Sequence, residues 1–296
     1  MTEAFPSFSP VSWPSGTRIA LCVSYYGGDF CGWQAQPHLP VATVQKTLEQ
    51  ALSNVAATPV STHCAGRTDT GVHGAAQIVH FDDPVGRSQK AWVMGCNRNL
   101  PSTVRVLWAR SVSSDFHARF SASSRHYRYI ISNSAIQSPH HCGLVSHCRR
   151  PLDALAMHDA SQVLLGEHDF SAFRAAQCQA AHPVRQIFGV SVNRFGDFIV
   201  LDIEANAFLY HMVRNLVGSL QMVGSVPKTR STCSTVGSTI NAVTVISGGN
   251  TAQILAAVSK DTARLLPGQN TNPMAFAPAS AAAKASISRV TPQILT

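Results

Sequence analysis

Gly66-Arg67-Thr68-Asp69-Thr70-Gly71-Val72-His73 is a polar turn between two short β-like runs, near residues 59–65 and 75–82. It sets one carboxylate between glycines, beside an arginine, at the end of a strand. Glycines let a backbone take positive φ and let a ligand approach closely. The plain alternative is a hairpin loop whose Asp bonds its own backbone. Upstream, Arg18–Tyr25 alternates, with Ile19, Leu21, Val23 and Tyr25 on one face, the period of a half-buried strand that Gly27, Gly28 and Gly32 then break. After Thr43, a candidate N-cap, Val44, Leu48, Ala51, Leu52 and Val55 recur at the spacing of an amphipathic helix. Downstream, a helical stretch around 88–98 and a strand at 104–110, with Val104, Val106 and Trp108 on one side, complete a β-α-β-β-α-β order.

The order then begins again with almost no shared residue identity. A strand at 126–132 carries Tyr127, Tyr129 and Ile131, and Pro151 at a first helical turn opens a helix with Leu152, Leu155, Ala156, Val163 and Leu164. Strands near 184–194 and 197–205 follow, then a helix from about 207 to 223 with Phe208, Met212, Leu216, Val217 and Leu220. The predicted class is α+β, in two similar halves, 18–115 and 116–224, whose sheets stand side by side around a central cleft. Residues 1–17 read as a flexible leader without a secretion signal. Of the 22 aromatic residues only Phe276 lies beyond position 225, and Asp261 is the only acid there, so 225–296 reads as a degenerate or poorly ordered tail. The second half is owed one more strand, and the tail offers only the weak runs Ala242–Ile246 and Ile287–Val290.

A net charge of +8, from 23 bases against 15 acids, favours a polyanionic partner, because a phosphate backbone rewards bound Lys and Arg by releasing counterions. No apolar run approaches the roughly 20 residues a membrane helix requires, and the expected location is the cytoplasm. The eight cysteines are scattered with no Cys-x-x-Cys pair, as expected of reduced, packed thiols. His140, His141, Cys142, His147 and Cys148 form the one cluster that invites a metal reading. Zinc sites draw on two separated ligand pairs and no second pair is present, so no metal is expected.

The octapeptide at 66–73 resembles the nucleophile motif of the TruA-type tRNA pseudouridine synthases, Gly-Arg-Thr-Asp-x-Gly-Val-His, at every defined position. Tyr25–Gln34, Thr43-Val44-Gln45, Phe116–Phe120, Arg125–Tyr129, Gly166–Arg174, Arg185 and Phe208–Asn215 are similar to further family segments in the same order, over about residues 18–224. The resemblance implies the pseudouridine synthase fold, with antiparallel or mixed sheets flanking the cleft, and conversion of uridine to pseudouridine at positions 38–40 of the tRNA anticodon stem-loop. It implies Asp69 as the catalytic nucleophile, attacking the sugar or the uracil ring; a carboxylate suits this because it is charged at neutral pH and leaves reversibly. Arg214 would pair with Asp69, Tyr127 would lie against the uracil, and Arg67 would help hold the flipped nucleotide or brace the gap it leaves. Without the motif, Arg214 reads as a helix-surface cation and Tyr127 as a strand aromatic. Glu167, His168 and Asp169 read as structural, at a helix end. The isomerisation needs neither redox change nor activated group, so no cofactor is implied. The partners implied are tRNA and a second copy of the chain. The tail lacks the family's Thr-Ala-Pro segment and Gly-Leu strand, which opens the alternative of a catalytically impaired tRNA-binding homologue.

Overall fold

The computed structural model describes residues 7–36 and 40–225 and the backbone of 293–295. Four strands, β1 (Arg18–Tyr25), β2 (His63–Cys64), β3 (Gly74–Asp82) and β4 (Val104–Ser111), form an antiparallel sheet in the order β2-β3-β1-β4. The alternating residues of β1 put Ile19, Leu21, Val23 and Tyr25 into the core, where they meet Val44, Leu48, Ala51 and Leu52 of helix α1 (Val44–Ala56). Thr43 caps α1 as its side chain suggests, Oγ1 accepting from Lys46 N at 3.4 Å. Each fully buried Leu of this face contributes about 1.5–3 kcal/mol. The expected helix at 88–98 is present but uneven: a wide π-helical turn, Ala91–Gly95, runs into α2 (Cys96–Asn99). Its Trp92 is fully buried and donates from Nε1 to Asp83 at 3.0 Å.

One side-chain assignment in β4 is corrected. Trp108 does not share a face with Val104 and Val106, because the pairing to β1 jumps from Val23↔Val106 to Cys22↔Trp108 and leaves Leu107 as a bulge. One extra residue reverses the alternation. Ala109 therefore takes the core position, and Trp108 packs with Cys22 and Ala76 on the other side of the sheet.

The second sheet runs β10-β5-β9-β8-β7, built from β5 (Arg125–Ser132), β7 (Gly166–Asp169), β8 (Val184–Phe195), β9 (Phe198–Ala205) and β10 (Gln293–Leu295), with β6 (Ser146–His147) parallel to the end of β5. Helices α3 (Ala154–Ser161) and α4 (Met212–Gly224) cover one face, and Ile131, Met157, Ile187, Ile199, Leu201 and Leu216 fill the core between. Pro151 lies outside α3; Asp153 is the cap, its carboxylate accepting from Leu155 N and Ala156 N, both at 3.0 Å. Glu167–Asp169 stand in the edge strand β7 rather than at a helix end. Helix α4 begins at Met212, not near 207, because His211 holds a left-handed φ of 59° that cannot continue a helix backward. Of the owed last strand, the backbone of Gln293–Leu295 lies parallel to Tyr127–Tyr129. The runs at 242–246 and 287–290 lie outside the described residues.

Candidate active site

The turn at 66–73 joins β2 to β3 and is held from several directions. Gln77 brackets Gly66, its Oε1 accepting from Gly66 N at 3.3 Å and its Nε2 donating to Gly66 O. Thr68 Oγ1 is 2.8 Å from the Tyr25 hydroxyl, and Thr68 O accepts from Trp33 N at 3.0 Å. Val72 N donates to Asp69 O at 3.1 Å, closing the turn over Gly71 at φ +80°. At Gly27 a Cβ would lie 2.1 Å from Val72 O, so the broken end of β1 must be glycine for the loop to settle against it. His73 accepts from Gly27 N at Nδ1, 2.9 Å, and its Nε2 meets Gly143 O at 2.8 Å, tying the loop to the other half. Burial pushes the His73 imidazole below its ordinary value, which keeps it neutral and able to make both contacts. A carboxylate on a loop this constrained is held in place before any ligand arrives.

Asp69 opens into a cleft between the halves, lined by Arg67, Tyr127, Phe208, His211 and Arg214 among others. All four residues singled out from the sequence, Asp69, Arg67, Tyr127 and Arg214, thus meet at one place, brought there by a loop, a strand and a helix. Their detailed contacts differ from the expected pairing. The ion-pair partner found for Asp69 among the described residues is His211, with Nε2 3.6 Å from Oδ2, while Arg214 donates from Nη2 to the neighbouring Thr70 carbonyl at 3.3 Å. Arg214 Nε is buried and has no partner among the described residues. A donor left in that state inside a cleft costs free energy that a bound group can recover. His211 stacks on Tyr210 with ring centroids 3.9 Å apart. His211 carries no role in the motifs legible along the chain. Its one signal is position, three residues before Arg214 at the residue that precedes helix α4.

Tyr127 meets Phe208 edge to face, centroids 4.9 Å apart. Burial pushes the Tyr127 hydroxyl up to about 12, with Arg125 opposing and the Asp69 carboxylate adding. The phenol is therefore neutral over the physiological range, a flat, largely apolar wall with a polar tip. Arg67 is exposed at the rim. In the 139–148 segment His141 meets Phe198 edge to face and His147 Nε2 meets Ser134 O at 2.8 Å, so these imidazoles have other contacts. Among the described residues no group of three or more His, Cys, Asp or Glu is arranged to hold a metal ion.

A lone carboxylate faced by an imidazole and a guanidinium and flanked by two aromatic rings, in a cleft between two α+β halves, suits an enzyme that handles a planar, uncharged base on a charged backbone. The family model described as tRNA pseudouridine synthase matches residues 21–121 and 160–242. Over 207 residues, 70% of this chain and 78% of each relative, the chain is 56% identical to a tRNA pseudouridine synthase A of Idiomarina loihiensis. It is 54% identical over the same span to that of Photobacterium profundum and 53% to that of Aliivibrio fischeri. The chain belongs to the tRNA pseudouridine synthase family, isomerases that act on tRNA.

Proposed function

We propose that this chain converts uridine to pseudouridine in the anticodon stem-loop of tRNA, at positions 38–40, with Asp69 as the nucleophile. The observation that carries the reading is the placing of Asp69 on its braced loop in the same cavity as Arg67, Tyr127, His211 and Arg214. Attack by the carboxylate, on the sugar or on the ring, frees the N1 to C1′ bond. The base then turns and C5 bonds to C1′, the C5 proton being lost and N1 gaining one, so the reaction balances without an external oxidant or reductant. Arg214 holds positive charge near the carboxylate, His211 approaches it through Nε2, and Tyr127 with Phe208 forms the wall against which the ring turns. The target base starts out stacked, and extruding it costs roughly a few kcal/mol. Arg67 at the rim and the basic charge of the chain offset that cost through phosphate contacts. The resemblance also supports a cytoplasmic homodimer in which one subunit helps place the RNA for the other.

Asp69→Asn is the test. The amide keeps the shape and loses the nucleophile, so tRNA binding should remain within a few-fold while pseudouridine formation disappears. Residual turnover above about a thousandth of the starting rate removes Asp69 from the role. A normal rate on a tRNA whose anticodon-arm uridines are all replaced by cytidine overturns the assignment of the target.

A further inference from the structure

Three arginines gather at one end of the second sheet. Arg125 opens β5 opposite Ala205, and Ile187 of β8 pairs with the same Ala205, so Arg185, two residues before Ile187, stands at that end too. Arg174 comes from the loop between β7 and β8. The acceptors of these guanidinium groups are main-chain carbonyls, with the Cys178 thiol beside Arg174 and Arg185. Arg125 donates to Asn206 O and Ala65 O, both at 2.8 Å; Arg174 to Cys178 O at 2.7 Å and Ala180 O at 3.0 Å; Arg185 to Val184 O at 2.6 Å and His182 O at 3.0 Å. Among the described residues none of the three has a carboxylate partner. Arg185 is only 8% exposed, and its Nε is buried without a partner.

Carbonyls orient a guanidinium but carry no net charge to neutralise it. Burial disfavours the charged form of both Arg125 and Arg185; Cys178 opposes this at Arg185, while Arg125 and Arg174 each repel it further. Uncompensated like charges at a desolvated place are costly, and proteins seldom hold them without a counter-charge. The cluster also adjoins the pocket. Ala175 N donates to Tyr210 O at 3.2 Å and Tyr210 N to Cys178 Sγ at 3.4 Å, so the loop bearing Arg174 packs on the 208–211 segment that lines the Asp69 cavity.

We propose that Arg125, Arg174 and Arg185 form a phosphodiester subsite that takes one backbone phosphate of the RNA beside the target uridine. The three forks lie already oriented, with an unused Nε among their donors, and a phosphate oxygen matches them in charge and in planar two-point geometry. The inference rests on the RNA reading above and assigns that RNA a definite anchor behind the pocket wall.

The experiment uses the full chain carrying Asp69→Asn, which binds without turning over, and a tRNA anticodon stem-loop in which one neutral methylphosphonate linkage is walked through the loop. One linkage should weaken binding about ten-fold. Adding Arg174→Gln should weaken binding of the unmodified RNA by a similar factor, lower the slope of log affinity against log salt by about 0.7, and remove the penalty at that linkage only. Arg185→Gln should act in the same way, and Arg185→Lys, with a melting curve beside each variant, separates loss of the anchor from loss of the fold. If Arg174→Gln leaves the slope unchanged, or the penalty at every linkage persists in it, the arginines are structural and the proposal is overturned. If the Asp69→Asn chain binds the unmodified stem-loop with no salt dependence, the RNA reading fails first, before any arginine is touched.

Discussion

At the scale of single residues, the site depends on contacts that cross long stretches of chain. Asp69 and His211 are drawn together by the start of α4, and Arg214 reaches Thr70 over a separation of 144 residues. His211→Gln removes the imidazole beside Asp69 while keeping a polar side chain. We expect the pseudouridine rate to fall about ten-fold with tRNA affinity held within two-fold, and measuring both on one preparation checks it; an unchanged rate means the 3.6 Å contact has no part in the reaction. Gly27→Ala is a test of the loop. Its Cβ would meet Val72 O at 2.1 Å, so the nucleophile turn must move. The expected result is a loss of about 1–3 kcal/mol in stability together with a rate loss of about a hundred-fold or more, read by urea denaturation and a single-turnover assay. The Asp69 motif was legible because it is contiguous. The role of His211 was not, since nothing in its neighbours along the chain shows that Asp69 lies opposite.

At the scale of elements, β3 carries a pH dependence. His80 on β3 is 3% exposed, stacks with His63 of β2 at 5.1 Å and meets His117 edge to face at 4.6 Å. Burial, helped by His117, pushes His80 down to about 4 from an ordinary 6.5. A histidine whose folded value is depressed binds its proton more readily when unfolded. Its contribution is therefore present above about 6.5 and is lost as pH falls toward about 4. His117, also lowered by burial, acts in the same direction. Asp82, whose carboxyl Arg18 lowers, adds its loss only below the ordinary 3.8 and so leaves this window clear. The melting temperature should drop between pH 7 and pH 5, and His80→Gln, which keeps an acceptor for Ala118 N, should flatten that drop; an equally steep drop in the variant would place the acid sensitivity elsewhere. Periodicity located the helices and the longer strands but not the short strands β6, β7 and β10. It misplaced Trp108 because a bulge reverses alternation without changing composition, and it began α4 too early because apolar Phe208 fits the helical spacing yet lines the pocket from a loop.

At the scale of the molecule, the excess of bases over acids predicts that tRNA affinity falls steeply with salt, by about a hundred-fold or more between 50 and 200 mM if several phosphates are contacted. Filter binding across that range decides it, and a flat dependence would remove the backbone from the recognition. Light scattering should give twice the 31.7 kDa of one chain; a monomer of full activity would show that a second copy is not needed to place the RNA. No helix among the described residues is long and apolar enough to cross a membrane.

The sequence by itself determined the class of fold, the two-part order of its elements and the loop that bears the nucleophile candidate. Each of these is written in local spacing: a period of two, a period near 3.6, a run of eight residues. Only the tertiary structure decided that the ion-pair partner found for Asp69 is His211, that Tyr127 and Phe208 meet edge to face, and that three arginines from β5, β8 and a loop share one end of a sheet. The physical reason is range. Periodicity and turn chemistry act over a few residues, whereas the partner of a side chain in a cleft is set by how two separately folded sheets pack, through contacts between segments that no spacing along the chain relates.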